Sequence, residues 1–206
     1  MIKEIENYCS NLLSTSKCKE LPFHNLIHTQ EVVQNVAYIA AAMGINKANK
    51  DILLIAAWFH DTGFSKKYRG HEDESKNIAI KYLSKLGAKD ELIKSVCLCI
   101  DATKMPQNPT IPLAKILCDA DIFHVSTPHF YYRKILLRRE WEVYCNMNMT
   151  DKEWHELNLE FLKSHNFKSN YGKNVLEKGK QENIKKVQQI LAYYDRSTIS
   201  YELSIP

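Results

Sequence analysis

The stretch Ala56-Ala57-Trp58-Phe59-His60-Asp61-Thr62-Gly63 decides how this chain is read. It closes a helix expected over about 47–60 that is apolar on most sides, the mark of a central, buried helix. Asp61-Thr62-Gly63 ends that helix. An imidazole and a carboxylate therefore stand next to each other at the end of a greasy helix, where both can reach one cation.

Outward from this point the apolar spacing is helical nearly everywhere. A first helix is expected over about 2–13. A second covers about 25–43, with Val33, Val36, Ala37, Ala40 and Met43 recurring every three or four residues, and stops at Gly44, a natural C-terminal cap. A fourth carries Ile78, Ala79, Tyr82, Leu83 and Leu86, and a fifth covers about 89–102. After a Pro-rich stretch at 105–112, helices resume near Leu113, His129, Asp151 and Asn174. The pattern holds no repeat, no convincing strand and no domain linker. It predicts an all-α fold, one domain of about eight or nine helices.

Composition agrees. The 206 residues are 45% hydrophobic and 25% charged, enough for a core and ordinary for a soluble chain. Only six Gly and six Pro argue against a low-complexity chain or an all-β barrel. A net charge of +4 is too mild to imply nucleic-acid binding by itself. The longest apolar runs, such as 52–59, fall far short of the roughly 20 residues that cross a bilayer, and the N-terminus lacks the apolar stretch of a signal peptide. The six cysteines are scattered without C-x2-C spacing. They are expected to be reduced core residues of a cytoplasmic protein.

Two further places can join the His-Asp pair. In Phe23-His24-Asn25-Leu26-Ile27-His28 the two histidines are four apart and share a face if the helix has begun by then. In Leu117-Cys118-Asp119-Ala120-Asp121-Ile122-Phe123 two carboxylates sit in an apolar helix. At about 100° per residue, Leu113, Ile116, Leu117 and Ala120 define its inward face. Asp121 lies at the border of that face, and Asp119 points away from it. An inward carboxylate is expensive unless paired or bound to metal, so Asp121 needs either a basic partner or an ion. Asp119 could be solvated or cap a neighbour. A lone helical histidine is more often a satisfied surface or core residue than a ligand; the case rests on the combination of His28, His60-Asp61 and Asp121. Mixed imidazole and carboxylate donors suit Mn, Fe, Co, Ni or Zn, with Mg possible at a carboxylate-rich position.

This order of H, HD and D in a helical chain resembles the HD-domain superfamily of metal-dependent phosphohydrolases, over at least 23–123. The resemblance implies that His28, His60, Asp61 and Asp121 are ligands of a divalent metal ion, in a core at about 22–125, with C-terminal helices over about 129–202 packed on it. FHNLIH is also similar to the YHNxxH motif of cyclic-nucleotide phosphodiesterases, with Phe23 in place of Tyr. That likeness implies that His24 protonates the leaving oxygen while His28 binds metal. No glutamine-and-aromatic clamp for a purine is evident. The implied substrate is a small phosphate ester, a nucleotide or cyclic-nucleotide-like molecule, with no membrane partner.

Other groups carry weaker implications. In many HD enzymes a His or Glu just after the HD loop assists the attacking water or the phosphate, which here points to His71 and Glu72. An acidic first helical turn stabilised by the helix dipole is the alternative for this segment. Lys104 follows a helix end near the expected site and could hold a phosphate oxygen as a point charge. Arg69 belongs, with Lys66 and Lys67, to a basic rim that could meet phosphate or be merely solvated. Packing and surface pairing are expected for Arg138, Arg139, Trp141, Trp154 and Phe161. Two rival functions share the fold. HD-fold di-iron oxygenases use two further histidines between the HD pair and the last Asp, where this chain has only His71. A non-catalytic nucleotide-binding regulator could keep the metal ligands.

Overall fold

The computed structural model describes the backbone of residues 1–202 and the side chains of residues 1–196. Residues 203–206 of the expected domain lie outside the described residues. Among those described the secondary structure is entirely helical, as the apolar spacing predicts. Nine α-helices run in order: α1 (Ile2–Thr15), α2 (Leu26–Ala42), α3 (Lys47–Phe59), α4 (His71–Lys85), α5 (Asp90–Asp101), α6 (Pro112–Asp121), α7 (Phe130–Tyr144), α8 (Asp151–Ser164) and α9 (Glu177–Glu202). Short 3-10 turns cover Lys17–Glu20, Thr62–Ser65 and Phe123–Ser126, and a π-helical turn at Gly172–Leu176 precedes α9.

The chain forms two compact units, one of Met1–Phe123 with Phe167–Lys173, the other of His124–Asn166 with the described residues from Asn174 onward. In the first unit α3 is the hub, packing against α1, α2, α4, α5 and α6. Its Leu53, Ile55, Ala56, Ala57, Trp58 and Phe59 are all buried, which is why this helix is apolar on most sides. The side chain of Asn46 caps its start by accepting the N–H of Asn49 at 2.9 Å. Gly44, at φ +63°, stops α2 in the left-handed conformation expected at that place.

Asn25 starts α2. Its Oδ1 accepts the N–H groups of Ile27 and His28 at 3.0 and 3.2 Å, and its Nδ2 donates to the carbonyls of Leu21 and Pro22 at 2.9 and 3.1 Å. The helix therefore begins at Leu26, and His24 lies in the bend before it. This corrects the expectation that His24 could share a helical face with His28: the Asn cap takes up the residue that would have extended the helix.

The second correction concerns α6. Asp119 was expected to face away from the core, yet it is 0% exposed. Its two carboxylate oxygens accept the backbone N–H groups of Lys168 and Ser169 at 2.7 and 2.8 Å. Of the two roles open to Asp119, capping a neighbour is the one found. The segment Phe167–Lys173 supplies a second buried side for α6 that local periodicity cannot reveal.

In the second unit α8 packs on α9. A capping box, Thr150 with Glu153, opens α8. Phe130, Trp154, Leu162, Leu176, Ile184 and Val187 are buried. Trp141 meets Trp154 edge-on at 5.7 Å, and Arg138 pairs with Glu142 and Asp151, so these residues pack and pair as expected. All six cysteines are free.

Candidate metal centre

Three helix ends converge in the first unit: the first turn of α2, the two residues that follow α3 and the last residue of α6. The Asn25 cap holds the backbone of His28. Asn35 Nδ2 donates to the Ala120 carbonyl at 3.1 Å and ties α2 to the end of α6. His60 Nδ1 donates to the Ala57 carbonyl at 2.7 Å, which fixes the ring and leaves Nε2 to point forward.

The donors form a closed ring that alternates nitrogen and oxygen. His28 Nε2 is 3.1 Å from Asp121 Oδ1, which is 3.6 Å from His60 Nε2. That nitrogen is 3.2 Å from Asp61 Oδ2, which is 3.5 Å from His28 Nε2. Neighbouring ligands at right angles on an ion with bonds of about 2.1 Å stand about 3 Å apart, so these edges are of ligand size. His60 Nε2 and Asp61 Oδ2 are buried and have no hydrogen-bond partner. Buried polar atoms are rarely left so, and a cation between them satisfies both. His28, His60 and Asp121 form a possible metal site with one donor atom each, all within 4.8 Å of one another.

Electrostatics agree with the geometry. Burial lowers the His60 imidazole, but the Asp61 and Asp121 carboxylates outweigh it and raise it well above the ordinary histidine range. Burial also lowers His28, and there the same carboxylates do not fully compensate. Burial raises both acids, yet the facing histidines hold Asp61 well below the usual carboxylate range and depress Asp121 too. The ring is thus a pocket whose anionic oxygens favour a cation, a proton on His60 or a metal ion in its place, and oxygen with imidazole is the donor set of a borderline divalent ion.

The other expected site residues divide into two groups. Asp61 Oδ1, the oxygen outside the donor ring, faces His71 Nε2 at 3.4 Å. His71 Nδ1 donates to the Tyr68 carbonyl at 3.3 Å and lies 3.7 Å from Glu72 Oε2. Gly63 allows this arrangement: a Cβ there would lie 1.8 Å from the His71 carbonyl oxygen, and its N–H donates to Ser75 Oγ at 2.8 Å. The turn after the His-Asp pair is thereby pressed onto the first turn of α4. The His24 ring sits 5.8 Å from that of His28, nearly perpendicular to it.

Lys104 and Arg69 are placed differently. Lys104 Nζ pairs with Asp73 at 2.8 Å and Asp101 at 3.1 Å, in a cluster that includes Lys76. Lys104 and Lys76 pull the exposed Asp73 carboxyl down to about 2. Arg69 is exposed in the turn before α4.

Sequence reasoning passed over Asn25, Ser75 and Phe64. Asn25 carried a readable sign, a capping residue just before an apolar-periodic run. Ser75 and Phe64 carried none, because their roles arise from the fold of the turn between α3 and α4.

Residues 25–126 match the family described as HD domain. No curated protein and no solved structure matches the chain. The matched segment spans all three helix ends and every residue of the ring, and it is an HD domain, of a superfamily that is generally metal-dependent phosphohydrolases.

Proposed function

We propose that this protein hydrolyses a small phosphate ester, a nucleotide or cyclic-nucleotide-like molecule, with a divalent ion held by His28, His60, Asp61 and Asp121. The observation that carries the reading is the closed ring of alternating donors with two orphaned buried atoms. A divalent ion bound there supplies Lewis acidity toward a phosphoryl oxygen and lowers the pKa of water.

The protein's own groups do the rest. Asp61 spans the ring and the adjacent histidine: Oδ2 faces the donors and Oδ1 faces His71. His71, with acceptors at both ring nitrogens, orients Asp61. Glu72 keeps an anion beside His71 Nδ1. His24, beside His28 but outside the ring, donates a proton to the departing oxygen. Lys104 and Arg69 are proposed to offset phosphate charge, which for Lys104 means exchanging Asp73 or Asp101 for a phosphate oxygen. The free cysteines fit a reducing compartment such as the cytoplasm.

A panel of phosphomonoesters and phosphodiesters assayed with Mn, Co, Ni, Fe, Mg and Zn tests the reading. Metal-dependent turnover of one class, abolished by chelation, is expected. Protein that binds none of these ions, or that turns over no ester with any of them, overturns it.

A further inference from the structure

Phe64 stands in the 3-10 turn Thr62–Ser65, three residues beyond Asp61. It belongs to a small apolar cluster with Leu13, Cys18 and Leu21, against which Leu26 and Tyr68 pack. The same ring also meets two imidazoles. The His71 ring stacks on Phe64 at 3.7 Å with 18° between planes, and the His24 ring stacks on it at 4.5 Å with 24°. These two histidines come from different places, the bend before α2 and the start of α4, and their own rings are 6.2 Å apart. Phe64 is the ring that both of them lie against.

The turn that carries this ring is held on every side. Phe64 N–H donates to the Asp61 carbonyl at 3.1 Å, Thr62 Oγ1 donates to the Phe59 carbonyl at 2.7 Å, and the Gly63 N–H is bound by Ser75. The phenyl ring is thus rigid relative to Asp61. A group stacked on it is rigid relative to Asp61 as well.

We infer that Phe64 is a positioning residue that sets the imidazole planes of His24 and His71 at the metal centre, so that two histidines unlinked in sequence act from one fixed platform. The inference rests on the phosphohydrolase reading for its catalytic consequence, but the placement itself is independent of that reading. Stacked aromatic pairs prefer such near-parallel, offset geometry. A ring free to tilt by an ångström loses much of what orientation contributes, since a misplacement of that size can cost about 10²-fold in rate.

The bland account is that Phe64 only fills the apolar cluster. The two accounts differ in what Phe64→Leu does compared with Leu13→Ala, which loosens the same cluster without touching either imidazole. The proton resonances of all imidazoles are recorded on zinc-loaded protein, with metal content measured for each variant. Ring-current shielding is expected to move the His24 and His71 signals upfield in the wild type and in Leu13→Ala. In Phe64→Leu both move toward ordinary positions, while His28, His60 and the metal content hold. On the ester that the protein hydrolyses, Phe64→Leu is expected to lower kcat about 10–100-fold with KM changed less than about threefold. In a His24→Ala/His71→Ala background the same substitution costs less than about twofold, because the groups it positions are gone.

Unmoved His24 and His71 signals in Phe64→Leu overturn the placement, as do equal movements in Leu13→Ala. An undiminished loss of kcat in the double-alanine background overturns the positioning role. If no ester is hydrolysed, the phosphohydrolase reading fails and the resonances alone decide the placement.

Discussion

His60 donates its Nδ1 proton to the carbonyl oxygen of Ala57, 2.7 Å away, and this bond at the C-terminal end of α3 dictates what the other ring nitrogen can do. Nε2 carries a lone pair when the ring is neutral, and it faces Asp61 and Asp121 with no hydrogen-bond partner. Without an ion the pocket holds a proton there in its place, which is the meaning of the raised His60 pKa. A metal ion held there would compete with that proton for one nitrogen.

Wild-type protein is expected to bind about one equivalent of a divalent transition ion per chain, with affinity that falls as the pH drops below neutrality. His60→Ala and Asp61→Ala are expected to lose it, since each removes one of two neighbouring buried donors. Elemental analysis after purification, with titration calorimetry at several pH values, checks both. Retention of metal by either variant contradicts the donor ring.

The two aspartates of α6 are expected to separate metal binding from folding. Asp121→Ala removes a ring donor and should abolish metal binding and activity while the fold survives. Asp119→Ala should keep the metal but melt earlier. It leaves the half-buried N–H of Lys168 and the buried N–H of Ser169 without their acceptor, and an unsatisfied buried donor costs about 1–3 kcal/mol. Thermal melts with parallel metal analysis read the difference, and the reverse order would show that the chain uses Asp119 as the ligand.

How far the sequence could be read depends on whether a residue's environment is local. The His60-Asp61 pair was legible because burial of α3 and adjacency of the two groups are both written within a dozen residues. Asp121 was legible as an inward-facing residue for the same reason. Asp119 was not: its partners, Lys168 and Ser169, come back from 49 and 50 positions away, and a helical wheel has no place for a second buried side. His24 shares a face with His28 only if α2 has begun by then, and the Asn25 cap starts the helix at Leu26. Phe64 sits past a helix end, where periodicity carries no information, and its meeting with His24 and His71 is a product of tertiary structure alone.

Lys134 offers a pH test in the second unit. It is 5% exposed, its Nζ donates to His155 Nδ1 at 2.9 Å, and it lies over the Phe130 and Tyr131 rings. Burial pushes its pKa down to about 8. The folded state therefore releases the proton at lower pH than the unfolded chain, whose lysine titrates near 10.4. Between these values the unfolded state binds more protons, so stability rises with pH across the window. Lys134→Met removes this dependence. Its stability relative to wild type is expected to be greatest below pH 8 and to shrink by up to about 3 kcal/mol on approaching pH 10.4. Denaturant melts of both proteins across that range give the difference, and a pH-independent difference would show that Lys134 is solvated.

His24 separates chemistry from binding. It lies in the bend before α2, outside the donor ring, with its imidazole beside that of His28 and stacked on Phe64. Removing it should leave the metal in place, because the Asn25 cap still fixes His28. What it takes away is the proposed proton donor. An alkoxide leaves phosphorus poorly unless protonated, and general acid help is typically worth about 10²–10⁴-fold. His24→Ala is therefore expected to keep its metal and lose that factor in kcat on an alkyl phosphate ester. On a p-nitrophenyl ester, whose leaving group needs little protonation, the loss should be much smaller. His28→Ala should fail on both substrates, because it removes a ring donor. Steady-state kinetics on the two esters, with metal content measured for each variant, decide the matter. Equal losses for His24→Ala on both, with metal retained, would mean that His24 holds the phosphate and that the leaving oxygen takes its proton from elsewhere.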